Sequence, residues 1–595
     1  MQRRARKHRT GLSRLWQYTE GRHRRIAFVM LLAAVSAAAP VVGWHLVGDA
    51  IDHGIRAHDE TRLWHDVVAY VGVNAAAWLL GSTTWLWLAR IGQQVVLEVR
   101  RGLFLHLTSL SLRYFSEQKA GWIIARLTSD VDALSDVLNQ GLTTLVVNTL
   151  TLVAAIGGLF LLDWRLGLVA LVVTPAGVAV TRWFQLKSHS AFSDVRTRIA
   201  AVTAQLAESV SGMAVVQAFN RERAFQDEFD GLNEANRTAN AYAQKLSSFF
   251  FPAIEFLGTV ATVAVLYAGS RLIDGGTLQI GTLIAATGLL QLVFQPLQEL
   301  SELYGQVQSA AAAMEKISTI LDAEQDITDR PGAKPMPRIE GKLELDGVTF
   351  AYGEEPVVHA LSIDVPPGGC IAMVGESGGG KSTTAKLIAR FYDPDSGAVR
   401  VDGIDLRDVQ LRSYRRQLGV VLQDPFLFSG TIADNIRFAK PEATDDEVRA
   451  AAEAIGVDRV TARFDGGLEH VVREGGAGLS AGERQLISIA RALLADPRIL
   501  ILDEATSNID RPSEILIERA FDRLLTGRTS IIIAHRLATV RRADAILVVE
   551  HGRIVQRGTE RELLAQAGPF RRLAETLAGT SPAAAQGRLV ASEPS

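Results

Sequence analysis

Residues 370–391 read CIAMVGESGGGKSTTAKLIARF, and the order of residue types in this stretch decides the fold of the chain's C-terminal part. The apolar run CIAMV has the composition of a buried strand, and STTAKLIARF that of a helix. Between them Gly375, Glu376, Ser377, Gly378, Gly379, Gly380, Lys381 and Ser382 fit the phosphate loop G-x-x-x-x-G-K-[ST]. Glycines let backbone N–H groups close around phosphate oxygens. A lysine at this spacing reaches the outer phosphates, and the serine hydroxyl can hold Mg²⁺. The helix that starts here adds the positive end of its dipole. Thr383, next in line, is grouped with these nucleotide contacts. An ordinary glycine loop sometimes carries the same eight residues, so the reading needs a second element.

Residues 499–504, ILILDE, supply it: an apolar strand that ends in two carboxylates. Asp503 stands where it can hold Mg²⁺ through water, and Glu504 where it can polarise an attacking water. The plain alternative, an acidic strand-to-loop turn, loses ground because a phosphate loop lies upstream. Between the two elements, residues 479–485 read LSAGERQ and lead into the helix-forming LISIARALLADP. Ser480 is placed as the N-cap of that helix, with Gly482 beside it, where hydroxyl and dipole would face an anion. A simple helix cap is the alternative.

Around these motifs, residues 342–578 alternate short β-rich runs with helices, the pattern of an α/β domain. KLELDGVTFAY, CIAMVGE, ILILDEA, SIIIAH and AILVVEHGRIV are the strand candidates. Upstream, residues 322–341 (DAEQDITDRPGAKPMPRIEG) carry the Pro and Gly of a linker. Downstream, residues 579–595 lack an apolar period and are expected to form a disordered tail.

Before the linker the chain changes character. Six stretches, near 26–48, 67–89, 141–162, 164–184, 246–270 and 275–298, are apolar over the roughly 20 residues a bilayer-spanning helix needs. Only Asp163-Trp164-Arg165 separates the third from the fourth, which predicts a tight hairpin. The N-terminal segment 1–25 carries Arg3, Arg4, Arg6, Lys7, Arg9, Arg22, Arg24 and Arg25, and segments 90–140 and 182–245 are also rich in Arg and Lys. The 49–66 loop is mostly acidic (Asp49, Asp52, Asp59, Glu60, Asp66). The positive-inside rule then puts both termini and the long loops in the cytoplasm. Those loops have helical spacing and extend the spans, within a membrane domain running over 26–321. The long apolar stretch after the basic segment is not the short one of a cleaved secretory signal.

Net charge is −3, and no basic, aromatic-interleaved face stands out, so nucleic acid is not an expected partner. Cys370 is the only cysteine, which excludes a disulfide within the chain and a cysteine-built metal site; a buried core thiol is expected. Glu255 is read as the one ionisable residue inside a span. Interhelical polar bonding is favoured for it over substrate or proton binding.

Taken together, these motifs resemble the ATP-binding-cassette exporters, with the membrane half fused before the cassette, over about residues 10–578. The implied fold is an α-helical polytopic membrane domain of six transmembrane helices followed by an α/β P-loop NTPase cassette. The resemblance assigns Tyr352 to adenine stacking, Gln423 (in VLQDPFLFSGTIADNI) to the Q-loop, His535 (in IIIAHRL) to the switch histidine and Ser507-Asn508-Ile509-Asp510 to the D-loop. It implies ATP and Mg²⁺ as cofactors, the metal held by Ser382, Gln423 and Asp503. Glu504 becomes the general base, with Gln423 and His535 completing the catalytic set. It implies a second half-transporter chain as partner, because the signature helix carrying Ser480 and Gly482 caps a nucleotide bound by the other chain. Short coupling helices are expected near residues 129–134 and 212–219.

The sequence departs from the family at the signature, LSAGE where LSGGQ is usual: Ala481 adds a methyl group and Glu483 a carboxylate near a phosphate site. Heterodimeric exporters carry such altered signatures, so a heterodimer is favoured over a tolerated variant in a homodimer. The expected activity is ATP-driven export of a small lipophilic or amphipathic substrate across the cytoplasmic membrane. Import on the same fold, and an ATP-gated channel or regulatory module, are the alternatives. No segment resembles an N-terminal peptidase domain, so coupled leader cleavage is not expected.

Overall fold

The computed structural model describes residues 14, 17, 18, 21–503, 511–534 and 536–579. Their contacts divide the chain into two units. One comprises the chain up to Ser109 together with Gln118–Ala323, the other Leu110–Glu117 together with the chain from Glu324 onward.

The first unit is helical. Among the described residues six helices are long and apolar enough to cross a membrane: His23–Ile55, Glu60–Ser109, Ala120–Leu162, Trp164–Ser211, Glu222–Asp274 and Ile280–Leu321. At 1.5 Å per residue the fifth, of 53 residues, is about 80 Å long, far more than the roughly 30 Å hydrocarbon core requires. Apolar side chains remain exposed on these helices, among them Trp78, Leu161 and Val172, as lipid-facing surfaces require. The sixth helix is the most buried, and its Ala286, Leu289, Leu290, Val293 and Phe294 form the centre of the membrane core.

Local chemistry fixes where the helices turn. Asp163 is the N-cap of the fourth helix, its carboxylate accepting from Arg165 N at 2.7 Å, which makes the expected hairpin. The sixth helix starts at Ile280 rather than near 275, because Gly276 takes φ +71° in the turn before it. Its first N–H groups are satisfied from another helix: Asp52 accepts from Gly281 N at 2.8 Å and from Thr282 N at 3.2 Å. The backbones of Gly48 and Gly281 touch there, and a methyl group on Gly281 would collide with Gly48 O and the Asp52 carboxylate.

The polar bonding expected of Glu255 belongs to another carboxylate. Glu255 is exposed on the fifth helix. Glu299 instead receives Asn148 Nδ2 of the third helix at 2.7 Å and Gln295 Nε2 at 3.1 Å. Glu299 lies one residue beyond the expected end of the sixth span, outside the stretches that hydropathy picks out.

The second unit is α/β. The strands are β1 (Leu343–Ala351), β2 (Pro356–Val365), β3 (Cys370–Val374), β4 (Ser396–Val401), β5 (Ile404–Asp405), β6 (Leu418–Val421), β7 (Gly430–Thr431), β8 (Val471–Val472), β9 (Ile499–Asp503), β10 (Thr529–Ile533), β11 (Ala545–Glu550) and β12 (Arg553–Gly558). One antiparallel sheet runs β2-β1-β4-β5; the principal sheet runs β12-β11-β3-β10-β9-β6, and β7 pairs with β8. In the principal sheet β11, β3, β10, β9 and β6 are parallel, and all but β6 are buried on both faces over nearly their whole length.

Three expectations change. AILVVEHGRIV is two strands, because His551 (φ 47°) and Gly552 (φ 73°) fold it into the hairpin β11–β12. The segment read as a linker docks onto the second unit: Met336 and Ile339 are buried, with their N–H groups donating to Ser413 Oγ (2.7 Å) and Gln417 Oε1 (2.9 Å). Cys370 opens β3 and is only partly buried, packed against the core rather than inside it.

Candidate functional site

Open parallel sheets bind ligands beyond the carboxyl ends of their strands. The register aligns β3, β10 and β9 so that Met373 pairs with Ile533, and Ile533 with Asp503. One edge of the sheet therefore carries both the glycine loop after β3 and Asp503 at the end of β9. β6 borders β9, with Val421 opposite Leu502, so Gln423, exposed two residues past β6, stands at the same edge. Glu504, Ser507-Asn508-Ile509-Asp510 and His535 lie outside the described residues, as do 580–595 and most of the basic segment 1–25.

The loop's glycines are dictated by the fold. Gly375 has φ +144°, and a side chain there would collide with Val549 O of β11. Gly378 has φ +82° and faces open space, so its backbone is free to meet a ligand. Gly379, Gly380 and Lys381 are buried, whereas Glu376, Ser377, Gly378 and Ser382 are exposed at the mouth. The helix Lys381–Ile388 starts directly from Gly380 with no side-chain cap, which leaves its first N–H groups for a ligand. Lys381 folds over the loop, Nζ donating to Gly375 O at 2.8 Å and Glu376 O at 2.7 Å. Burial pushes its pKa down, and the negative charge of Asp503 pulls it back up.

These residues fit a magnesium–nucleotide polyphosphate. The open face at Gly378, the uncapped helix start and Lys381 supply N–H and ammonium donors. Among the described residues no cluster of three or more His, Cys, Asp and Glu could hold a metal by itself. A Mg²⁺ held by one carboxylate, a hydroxyl and ligand phosphates is the arrangement such a donor set allows.

Tyr352 is braced on several sides. Its hydroxyl shares a hydrogen bond with Thr383 Oγ1 at 3.2 Å, and its ring meets Phe350 and Tyr392 edge-on at 5.0 and 5.2 Å. Lys386 Nζ lies 5.8 Å from the ring centroid. Arg113, in the short helix Leu112–Glu117, donates to the carbonyls of Ala351 (3.4 Å) and Tyr352 (3.3 Å). Ser111 Oγ donates to Asp326 nearby, at 3.0 Å. The part of the first long loop that folds into this unit is thus Leu110–Glu117, whereas the helix at Ser129–Asp136, where a coupling segment was expected, packs within the first unit. In the second loop a short helix stands at Met213–Ala218. Sequence reading missed Arg113 because it took residues 90–140 as one helical extension.

The signature region corrects another expectation. Ser480 is the N-cap of helix Ala481–Leu494, but its hydroxyl is engaged, accepting Glu483 N at 3.3 Å. Glu483 is buried, and its Oε2 accepts Ser480 N at 2.7 Å and Arg463 Nη2 at 2.5 Å. The Glu483 carboxylate therefore caps the start of its own helix and has Arg463 as its cation. The spacing S-x-x-E of the capping box was there to be read. Ala481 is partly exposed and Gly482 buried.

A helical membrane unit joined to a glycine-loop α/β unit defines a membrane protein coupled to nucleotide chemistry. Residues 26–297 match the ABC transporter transmembrane region, and residues 358–507 the ABC transporter domain. The uncharacterized ABC transporter ATP-binding protein YknV of Bacillus subtilis (strain 168) is 37% identical over 544 residues, covering 91% of this chain and 89% of that protein. A fatty acid ABC transporter ATP-binding/permease protein of Mycobacterium tuberculosis (strain CDC 1551 / Oshkosh) is 38% identical over 506 residues, covering 85% and 78%. The structure of a bacterial Atm1-family ABC exporter with ATP bound superposes with TM-score 0.79 at 26% identity, covering 94% of this chain and 99% of that one. The chain belongs to the ABC transporter family. It is a multi-pass membrane protein of exporter architecture, an ATP-binding ATPase coupled to transport.

Proposed function

We propose that the chain is half of a dimeric exporter that moves a lipophilic or amphipathic molecule out across the cytoplasmic membrane by alternating access, with both termini and the nucleotide unit in the cytoplasm. The observation that carries this reading is the glycine loop and Asp503 sharing one sheet edge, in a chain with six membrane-long helices. The lipid-like substrate class draws support from the fatty acid transporter relative.

Bound ATP supplies the phosphoanhydride bond whose hydrolysis resets the transporter. The N–H groups of residues 375–383 hold the phosphates, and Lys381 gives up its loop carbonyls for them. Ser382, Gln423 and Asp503 would hold Mg²⁺, which would offset the charge on the phosphates, and Tyr352 would stack on the adenine. Glu504 takes the proton from the attacking water, and His535 contacts the terminal phosphate. Ser480 and Gly482 present the start of their helix to the nucleotide on the other chain, so a single chain leaves each site incomplete.

The case for a heterodimer rested on LSAGE. With the Glu483 carboxylate held by Ser480 N and Arg463, the carboxylate no longer requires a different partner chain. A homodimer is therefore our reading, and Ala481 is what remains for the heterodimer. Mg-ATP hydrolysis by the chain alone in lipid nanodiscs, beside Glu504→Gln, decides. Robust activity abolished by the substitution is the expected result. An inactive, well-folded sample points to a second chain, and activity indifferent to the substitution removes Glu504 as the base.

A further inference from the structure

The first unit holds a cavity of about 670 Å³ between its fourth, fifth and sixth helices, within the range of small-ligand sites. Its construction is legible in the helical repeat. On the fourth helix Phe184, Ser188, Phe192 and Arg196 line it at i, i+4, i+8 and i+12, one stripe about 18 Å long. The facing stripe of the sixth helix is small or polar (Gly305, Ser309 and Ala312), which leaves the space open. The fifth helix adds Ser247 and Phe251, one turn apart.

The stripe is polarised along its length. At one end Phe184 stacks on Phe250 (4.1 Å between centroids, 10° between planes), and Phe250 in turn meets Phe251 edge-on. At the other end stands Arg196, exposed, with Ser309 Oγ 3.4 Å from Nη2 as its hydrogen-bond partner. Among the described residues no carboxylate lies within ion-pair distance of Arg196; Asp194, two residues before it, pairs with Arg198. A second cavity, of about 340 Å³, adjoins through Arg196, Gly305 and Ser309; Asp136 also lines it, beyond ion-pair distance of Arg196. An aromatic end, a wall of small and hydroxyl-bearing residues and a guanidinium at the far end match a molecule with an acyl tail and an anionic head.

The geometry points to this cavity as the site of a single-chain amphiphile with a carboxylate or phosphate-monoester headgroup, tail against Phe184 and Phe251, head on Arg196. The inference rests on the exporter reading for its role and narrows that reading to a substrate class. Its test does not use hydrolysis, so the two can fail separately.

Radiolabelled dodecanoate, dodecyl phosphate and dodecyltrimethylammonium are titrated, without ATP, into the full chain in phosphatidylcholine nanodiscs. Wild type is compared with Arg196→Gln, with Ala312→Phe, which fills the cavity, and with Arg198→Gln as control; thermal melting confirms folding. Saturable binding of both anions but not of the cation is expected. Arg196→Gln and Ala312→Phe should each weaken it about tenfold, and Arg198→Gln should not. Should Ala312→Phe melt early, Arg196→Gln alone decides. Equal binding of the cation, no saturable binding, or indifference to Arg196→Gln overturns the proposal. Displacement by inorganic phosphate at the concentrations effective for dodecyl phosphate overturns it too, since the site would then read free anions.

Discussion

Arg463 and Glu483, twenty residues apart, form an ion pair at 2.5 Å on the oxygen that also accepts the N–H of Ser480. The pair joins the capping of the signature helix to a charge that would otherwise stand uncompensated at its start. Arg463→Met should therefore raise KM for ATP several-fold with less effect on kcat, because Glu483 loses its cation beside the anion site. Adding Glu483→Gln should restore KM, since glutamine keeps the cap without the charge. The cost to stability should be small, about 1 kcal/mol, because the Arg463 side chain is half exposed. A double mutant no better than Arg463→Met alone would mean that the arginine acts otherwise.

Tyr352 offers a second test. Tyr352→Phe removes only the hydrogen bond to Thr383 and should change nucleotide affinity by less than about threefold, in line with one neutral hydrogen bond. Tyr352→Ala should weaken affinity by about tenfold or more if the ring stacks on the base. Arg113→Ala should fall between the two, since it frees the carbonyls of Ala351 and Tyr352 and leaves the ring in place. Equilibrium binding of a fluorescent ATP analogue separates the three.

Cys370 should resist alkylation in the folded protein. Burial, with the charge of Asp544 adding to it, pushes its thiol from the ordinary 9.0 up to about 12, so little thiolate exists at pH 8. A maleimide should label the native chain slowly and the unfolded chain at once, which makes the single cysteine a reporter of unfolding. The sign of the pH effect follows. A thiol raised on folding contributes stability that is whole below pH 9.0 and is lost as pH rises toward about 12. Over that window the wild type should lose stability relative to Cys370→Ala, as read by urea unfolding.

At the other end of the molecule, Gly281→Ala should lower the melting temperature by several degrees, because its methyl group meets Gly48 O and the Asp52 carboxylate. Asp52→Asn keeps an acceptor for only one of the two N–H groups, Gly281 or Thr282, and should cost less, about 1 kcal/mol. Melting in detergent reports both. Equal losses would mean that the cap, not the close backbone approach, holds this corner.

The motifs that spell chemistry in consecutive residues were legible. A phosphate loop needs its glycines, lysine and serine in a fixed order, and a bilayer needs about 20 apolar residues in a row. Features made by residues far apart in the chain were not. Asp52 capping a helix that begins at Ile280, Asn148 meeting Glu299, and Arg113 holding the backbone at Tyr352 each join segments that no local period connects. The turn at His551-Gly552 was missed because the apolar runs on either side read as one strand. The partner of Glu483 was half legible: its serine stands at the right spacing, but Arg463 belongs to another element.

The eight residues Leu110–Glu117 belong to the nucleotide unit although more than two hundred residues separate them from the rest of it. Neither unit is therefore a contiguous cassette in the genetic sense. A recombination event that exchanged everything after Ala323 would import a nucleotide unit without its own Ser111 and Arg113. Graft or truncation, such a product should release ATP faster than the intact chain unless those eight residues travel with it.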